Sequence, residues 1–329
     1  MNQAFLSAFS TTTGESPTPA WIRPYTPPAD ASVHQFVLFL KPEVTAVQEG
    51  VDLAAVLELV MAHLAAFDVE IAAARALPAA YLAEHRLMDE HYGVINRISK
   101  LGESALTDTA RSKLHEIFAE DLQEGAQVLG GHQFLETHPE FHPLALSALN
   151  DNIGTTKLGG GSYAMRLNLL GTKFVLLNPF HAYQLVPYTT PGRAILVMEG
   201  RSARDWAVLR SELTGATNPA KAATGSIRAS LLANKDRLGL ADVNQGLNGV
   251  HLSAGPLEGL VELRRFFSEP ETGSLREWTD FAFGQALKAA GLDPAALGQN
   301  PDLTREGRNI SAFDLTEEKN GADALELLA

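Results

Sequence analysis

Two short segments hold residue types that act together on phosphate: GATNPAKAATGSIRASL at 215–231 and NGVHLSAG at 248–255. They set Thr217, Arg228 and His251 in surroundings rich in Gly and Asn. A histidine on a short strand with a helix directly after it is held rigidly. Its imidazole nitrogen attacks phosphorus well at neutral pH. The helix that opens at Pro256 carries Glu258 and Glu262. A carboxylate at the Glu262 position, two or three turns in, can hold the far ring nitrogen and fix the tautomer. A lone histidine of this kind is more often a hydrogen-bonded structural residue. The neighbouring cation and hydroxyl groups tip the balance toward chemistry.

Two other segments carry weaker signals. GTTKLGGGS at 154–162 has Lys157 near three glycines, but not in the order of a phosphate-binding P-loop; a plain flexible loop is the simpler reading. No dinucleotide-binding glycine fingerprint follows a strand either. His132, His138 and His142, with Glu136 and Glu140 between them, have ligand types that suit Zn²⁺. Ordered surface histidines beside Pro139 and Pro143 are the plainer expectation, and no metal-binding residues are assigned.

The elements that must position His251 can be read from apolar patterning. HQFVLFLK from His34 reads as a buried strand ending on Lys41-Pro42, and VDLAAVLELVMAHLAA (51–66) as a helix with Val56, Leu57, Val60 and Leu64 on one face. A second strand is expected over 67–77 and a helix from Pro78 to about His91. Further on, a helix is expected at 106–124, strands at TKFVLLN and RAILVME, a helix at 202–213, a short strand around 249–253 and a helix over 256–267. An amphipathic helix at 275–290 and a loosely patterned end complete the chain. The order β-α-β-β-α-β is the split βαβ of a ferredoxin-like α/β (α+β) fold, an antiparallel sheet with helices on one face. Residues 1–33, rich in Ser, Thr and Pro, read as an extended N-terminal arm that can pack through Phe5, Phe9, Trp21 and Tyr25.

Composition bounds the alternatives. The chain has 329 residues, more than one small domain needs, and 45% of them are hydrophobic. Lys and Arg total 26 against 39 Asp and Glu, so a nucleic-acid partner is not expected. An anionic substrate then needs a local cation cluster. The absence of Cys removes disulfides, thiolate metal sites and cysteine nucleophiles. The apolar runs are strand-sized and the N-terminus lacks the pattern of a signal peptide, so no membrane association is expected and the cytoplasm is the default location.

On three segments the chain resembles the nucleoside diphosphate kinases: FLKPEV at 39–44, GATNPAKAATGSIR at 215–228 and NGVHLS at 248–253. The resemblance covers a core of 34–92 and 172–267, interrupted by a mostly helical insertion at 93–171, preceded by the arm and followed by a C-terminal extension at 268–329. It implies a ferredoxin-like core and transfer of a γ-phosphate from a nucleoside triphosphate such as ATP, with Mg²⁺, to a nucleoside diphosphate. His251 then resembles the phospho-accepting histidine, Glu262 its orienting partner and Ser253 the support of that pair. By the same resemblance Lys41 and Asn248 contact the ribose hydroxyl and the transferring phosphate, Arg228 and Thr217 bind the outer phosphates, and Phe180 stacks on the base. Arg210 resembles a further phosphate-binding arginine, displaced by one residue. A homo-oligomer is also implied.

The chain departs from the family pattern in several places. Ala254 stands where the family has an aspartate, and Leu247 where it has an arginine. About ten extra residues lie near 232–243. Either Tyr92 or Arg86 takes the position of a family tyrosine. The loss of one transition-state contact commonly costs about 10²–10³ in rate, which weakens activity without abolishing it. Two further readings therefore stand beside the first: a histidine-dependent phosphotransferase or phosphohydrolase with another acceptor, and a weakly active nucleotide-binding or assembly protein.

Overall fold

Continuous apolar runs, buried on both faces, build the first sheet. The computed structural model describes residues 2–14, 17–29, 33–305 and 307–329. Helix α1 (Asn2–Thr12) leads to strand β1 (Ala20–Arg23), then β2 (His34–Leu40), helix α2 (Leu53–Ala66) and β3 (Glu70–Pro78). Asp52 caps α2 by accepting from the Ala55 amide, and Val56, Leu57, Val60 and Leu64 are all buried on it. After β3 the chain enters a second compact unit, Arg86–Pro187, which contains β4 (Gln127–Gly130), β5 (Thr156–Gly159), β6 (Ser162–Leu169) and β7 (Thr172–Leu177). It returns to the first unit with β8 (Ala194–Ser202), helix α3 (Ile227–Ala233), β9 (Val250–Leu252) and helix α4 (Pro256–Phe267).

The first unit, Met1–His85 with Tyr188–Ala329, carries a sheet of order β1-β3-β8-β2-β9 with antiparallel pairs throughout. Without the added edge strand β1, the order β3-β8-β2-β9 is consistent with the expected ferredoxin-like core, extended by extra helices and strands. Side chains alternate across β2. Phe36, Leu38 and Leu40 enter a core with α2, Phe5 and Phe9 of α1, and Ile227 and Leu231 of α3. Phe39 faces the other way, onto Phe266 of α4 at 5.8 Å between ring centroids. Helices thus cover both faces of the sheet, where one was expected, because the run FVLFL is apolar on both of its sides.

The second unit has a mixed sheet of order β4-β7-β6-β5, in which β4 and β7 are parallel. TKFVLLN, expected among the core strands, is β7 of this second sheet. The glycine-rich segment at 154–162 forms β5 and the turn into β6.

Several expected elements take a different form. The stretch expected as an extended arm is helix α1 and edge strand β1, because Phe5 and Phe9, one turn apart, have a core to enter. The helix from Pro78 breaks at Arg86, whose φ is 52°, and the helix at 106–124 breaks at Phe118. Over 202–213 a short α-turn at Trp206–Val208 runs into a π-helix, Leu209–Thr214. The expected helix at 275–290 is a 3₁₀ turn at Trp278–Asp280 followed by helix α5 (Ala282–Ala289). The end of the chain is a hairpin, β10 (Asp302–Arg305) with β11 (Arg308–Ser311), and two helices, α6 (Ala312–Thr316) and α7 (Gly321–Leu328). The extra residues near 232–243 pack rather than loop out: Leu238, Leu240 and Val243 join the main core, and Asp52 donates its amide to Leu238 O.

Candidate active site

Strand β9 lies at the sheet edge and pairs antiparallel with β2, which sets His251 opposite Phe39. Their rings stack at 4.6 Å with 21° between planes, so the imidazole is held flat against a buried aromatic. Gly249, just before the strand, has φ 80°, and a Cβ there would come within 2.5 Å of Leu231. The turn that delivers His251 therefore requires glycine.

His251 Nε2 lies 2.8 Å from Glu262 Oε1, and the glutamate side chain is 1% exposed. The other oxygen, Oε2, accepts from Ser253 Oγ at 2.5 Å. Ser253 Oγ in turn accepts from the Val37 amide at 2.9 Å. The backbone of β2 thus fixes a serine, which fixes a buried carboxylate, and the imidazole lies within ion-pair distance of that carboxylate. A buried ionised carboxylate is costly unless it is paired, so Glu262 requires both partners. The Glu262 carboxylate thus lies on the Nε2 side of the ring. Trp206 adds a further anchor by donating Nε1–H to Ser253 O at 3.0 Å.

The two carbonyls that flank His251 accept from arginines. Arg228 donates to Val250 O at 2.9 Å and to Gly215 O at 2.8 Å, and Arg210 donates to Leu252 O at 3.1 Å. An edge strand leaves carbonyls without a ladder partner, and here they fix two cations, one on each side of the histidine. Arg228 is buried; Arg210 is 24% exposed and also meets Glu317 and Glu318.

Lys41, at the end of β2, donates its amide to Gly249 O at 2.9 Å. Its side chain is buried, and no hydrogen bond or ion pair reaches its ammonium among the described residues. Burial first, and then Arg228, lowers its pKa to about 8 against the opposing pull of Glu43. Glu43 itself accepts from the Gly249 amide at 3.0 Å. Asn248 donates to Thr217 O at 3.2 Å and to Gln245 O at 3.1 Å, while its Oδ1 is buried with no hydrogen-bond partner. Among the described residues the first unit therefore holds a buried cation with no direct ion pair, opposed only at longer range by Glu43, and a buried acceptor without a donor, both set against the turn that precedes His251. A ligand with phosphate oxygens and hydroxyls satisfies both.

Of the residues expected from the sequence, His251, Glu262, Ser253, Lys41, Asn248, Arg210 and Arg228 meet around β9 as described, and Thr217 enters through its carbonyl, with its side chain exposed. Phe180 belongs to the second unit, where its ring meets Tyr163 at 5.8 Å. Tyr92 and Arg86 belong to that unit too. His132, His138 and His142 have separate partners: Ser99 Oγ, Glu140 and the Leu144 amide. Sequence reading missed Phe39, Glu43 and Trp206. Glu43 had a signal, as the second residue after Lys41; Trp206 had none, because its contact spans 47 positions.

Ala254, noted as a departure from the resembled pattern, donates its amide to Glu258 Oε2 at 2.8 Å. Burial first, and then Glu262, pushes the Glu258 carboxyl up to about 7. His251 and Glu262 can also bring one nitrogen and one carboxylate oxygen to a common metal ion. A nitrogen donor suits softer ions than Mg²⁺, which takes oxygen ligands and substrate phosphates.

Relatives that match part of the chain include two nucleoside diphosphate kinases. The nucleoside diphosphate kinase of Herpetosiphon aurantiacus is 39% identical over 94 residues, 28% of this chain and 54% of that protein. The nucleoside diphosphate kinase of Archaeoglobus fulgidus is 39% identical over 88 residues, 26% of this chain and 50% of that protein. The chain spans about half the length of the curated relatives it matches. The crystal structure of an NDP kinase from Pyrobaculum aerophilum aligns with 74% of this chain and all of its own, at 20% identity and a TM-score of 0.36, too low to bear on fold or function. No family model matches the chain. The relationship to nucleoside diphosphate kinases is distant and partial. No helix among the described residues is long and apolar enough to cross a membrane.

Proposed function

We propose that the chain is a phosphotransferase like the nucleoside diphosphate kinases, moving the γ-phosphate of a nucleoside triphosphate to a nucleoside diphosphate through a phosphohistidine at His251. The observation that carries the reading is the Ser253–Glu262–His251 relay on an edge strand flanked by Arg210 and Arg228. In the first half-reaction Nδ1 attacks the γ-phosphorus, the bond from that phosphorus to the bridging oxygen breaks, and the nucleoside diphosphate leaves with the electron pair. Glu262 keeps the Nε2 proton in place and stabilises the charge that develops on the ring. In the second half-reaction a terminal phosphate oxygen of the acceptor attacks the same phosphorus and the N–P bond breaks.

Such a transfer needs alignment and charge stabilisation more than covalent assistance from the protein. Lys41 and Arg228 supply positive charge, and the Asn248 acceptor suits a ribose hydroxyl. Mg²⁺ arrives in this reading on the triphosphate. A homo-oligomer belongs to the same reading.

The test is labelling with γ-³²P-ATP. A base-stable, acid-labile label on the peptide that contains His251, discharged on adding a nucleoside diphosphate, is expected. Label that maps elsewhere, or that persists in a folded His251→Ala variant, overturns the reading. Discharge to water or only to a different acceptor removes the nucleoside diphosphate from it.

A further inference from the structure

We propose that Glu317 and Glu318 form an internal competitor for Arg210, so that the docked C-terminal segment holds this arginine away from polyphosphate and its release makes the arginine available. The inference rests on the function proposed above and adds a mode of regulation to the same site.

The contact is local and built. Arg210 Nη2 lies 3.5 Å from Glu317 Oε1, and Nε lies 3.7 Å from Glu318 Oε1. Glu258, held on the Ala254 amide, is near enough to feel the charge of both Arg210 and Glu317. Carboxylate oxygens take the same donors that phosphate oxygens would.

The backbone sets the glutamates in place. The Glu318 amide donates to Ala254 O at 2.9 Å, three residues beyond His251. Glu318 has φ 58°, a left-handed conformation that a non-glycine residue keeps only when its surroundings impose it. A Cβ on Gly255 would lie 2.3 Å from Thr316 O, so the segment packs on the loop after His251 with no space for a side chain. Just beyond, Asn320 bonds Asp205 at 2.9 Å and accepts from the Trp206 amide at 3.0 Å. Trp206 is the residue that anchors Ser253.

The ion pairs themselves are weak. Glu317 and Glu318 side chains are 45% and 50% exposed, and exposed pairs at such distances contribute little. A triphosphate, with more charge, can therefore displace them. The device raises the nucleotide concentration needed without blocking the site.

The test uses the full chain and ATP with Mg²⁺ as the probe, with affinity measured by calorimetry and His251 labelling followed in parallel. Glu317→Gln/Glu318→Gln, which leaves the backbone bond to Ala254 intact, is expected to bind ATP about 2- to 5-fold more tightly, the range an exposed pair gives. In an Arg210→Gln background the same double change is expected to have no effect. Equal affinity in wild type and double variant overturns the proposal, as does an equal gain in the Arg210→Gln background, which would mark a general charge effect. Tighter, Arg210-dependent binding without labelling keeps the competitor and refutes phosphotransfer. Labelling with unchanged affinity does the reverse, and no ATP binding in any variant refutes both.

Discussion

Replacing Lys41 with methionine is expected to make the free protein more stable and its nucleotide site worse. Lys41 is 8% exposed, and its pKa is lowered to about 8 from 10.5, first by burial. At pH 7 the folded chain therefore carries an ammonium that the unfolded chain solvates better, at a cost of roughly 3 kcal/mol. Between about pH 8 and 10.5 the unfolded state binds the extra proton, so wild-type stability rises with pH across that window and the cost disappears above it. Lys41→Met is thus expected to exceed wild type by about 1–3 kcal/mol at pH 7, the lower figure allowing for imperfect packing of the new side chain. The advantage is expected to shrink at pH 10. ATP at 100 times its Kd adds about 2.7 kcal/mol to a chain that binds it. That gain is expected in wild type and largely lost in the variant. Urea unfolding at pH 7 and pH 10, with and without ATP, measures all four quantities. A variant less stable than wild type at pH 7, or stabilised by ATP as strongly as wild type, would refute the reasoning that Lys41 is a buried cation held in place for an anion.

Two further outcomes follow from the same geometry. Glu262→Gln keeps the shape but weakens the hold on Nε2, so single-turnover phosphorylation of His251 is expected to slow by about 10²-fold with ATP affinity unchanged; an unaltered burst would remove Glu262 from the positioning role. Glu258, with its carboxyl pushed up to about 7, holds a proton in the folded state that the unfolded state has already lost, so stability is expected to fall as pH rises from about 4.5 to 7. Glu258→Gln should flatten that decline in urea midpoints taken between pH 5 and 8, and an unchanged slope would assign the decline to other groups.

How much of the site could be read from the sequence follows from where its interactions lie. The pair His251–Glu262 is eleven positions apart on a strand and the helix that follows it, so local spacing exposes it. Ser253 falls within the same run. Phe39 pairs with His251 across 212 positions, and only the β2–β9 register brings the rings together. Arg210 was legible as a cation but not as one shared with Glu317 and Glu318, which lie more than a hundred positions away. The first 32 residues misled for a related reason. Ser, Thr and Pro dominate the composition, whereas burial of Phe5 and Phe9 depends on a core that only the folded sheet provides.

The sequence by itself determined the strands and helices whose apolar patterning is unbroken (β2, α2, β8 and α4), together with the run of residues that puts a histidine, a serine and a glutamate within one strand and one helix. Periodicity and short-range spacing are properties of the chain before it folds. Tertiary structure alone decided that β9 ends the sheet and leaves Val250 and Leu252 carbonyls to two arginines, and that the Lys41 ammonium is buried with no direct ion pair among the described residues. It also brought the chain's acidic C-terminal segment against one of those arginines. Each of these depends on which surfaces meet, and hence on desolvation and partner geometry that no local stretch of sequence encodes.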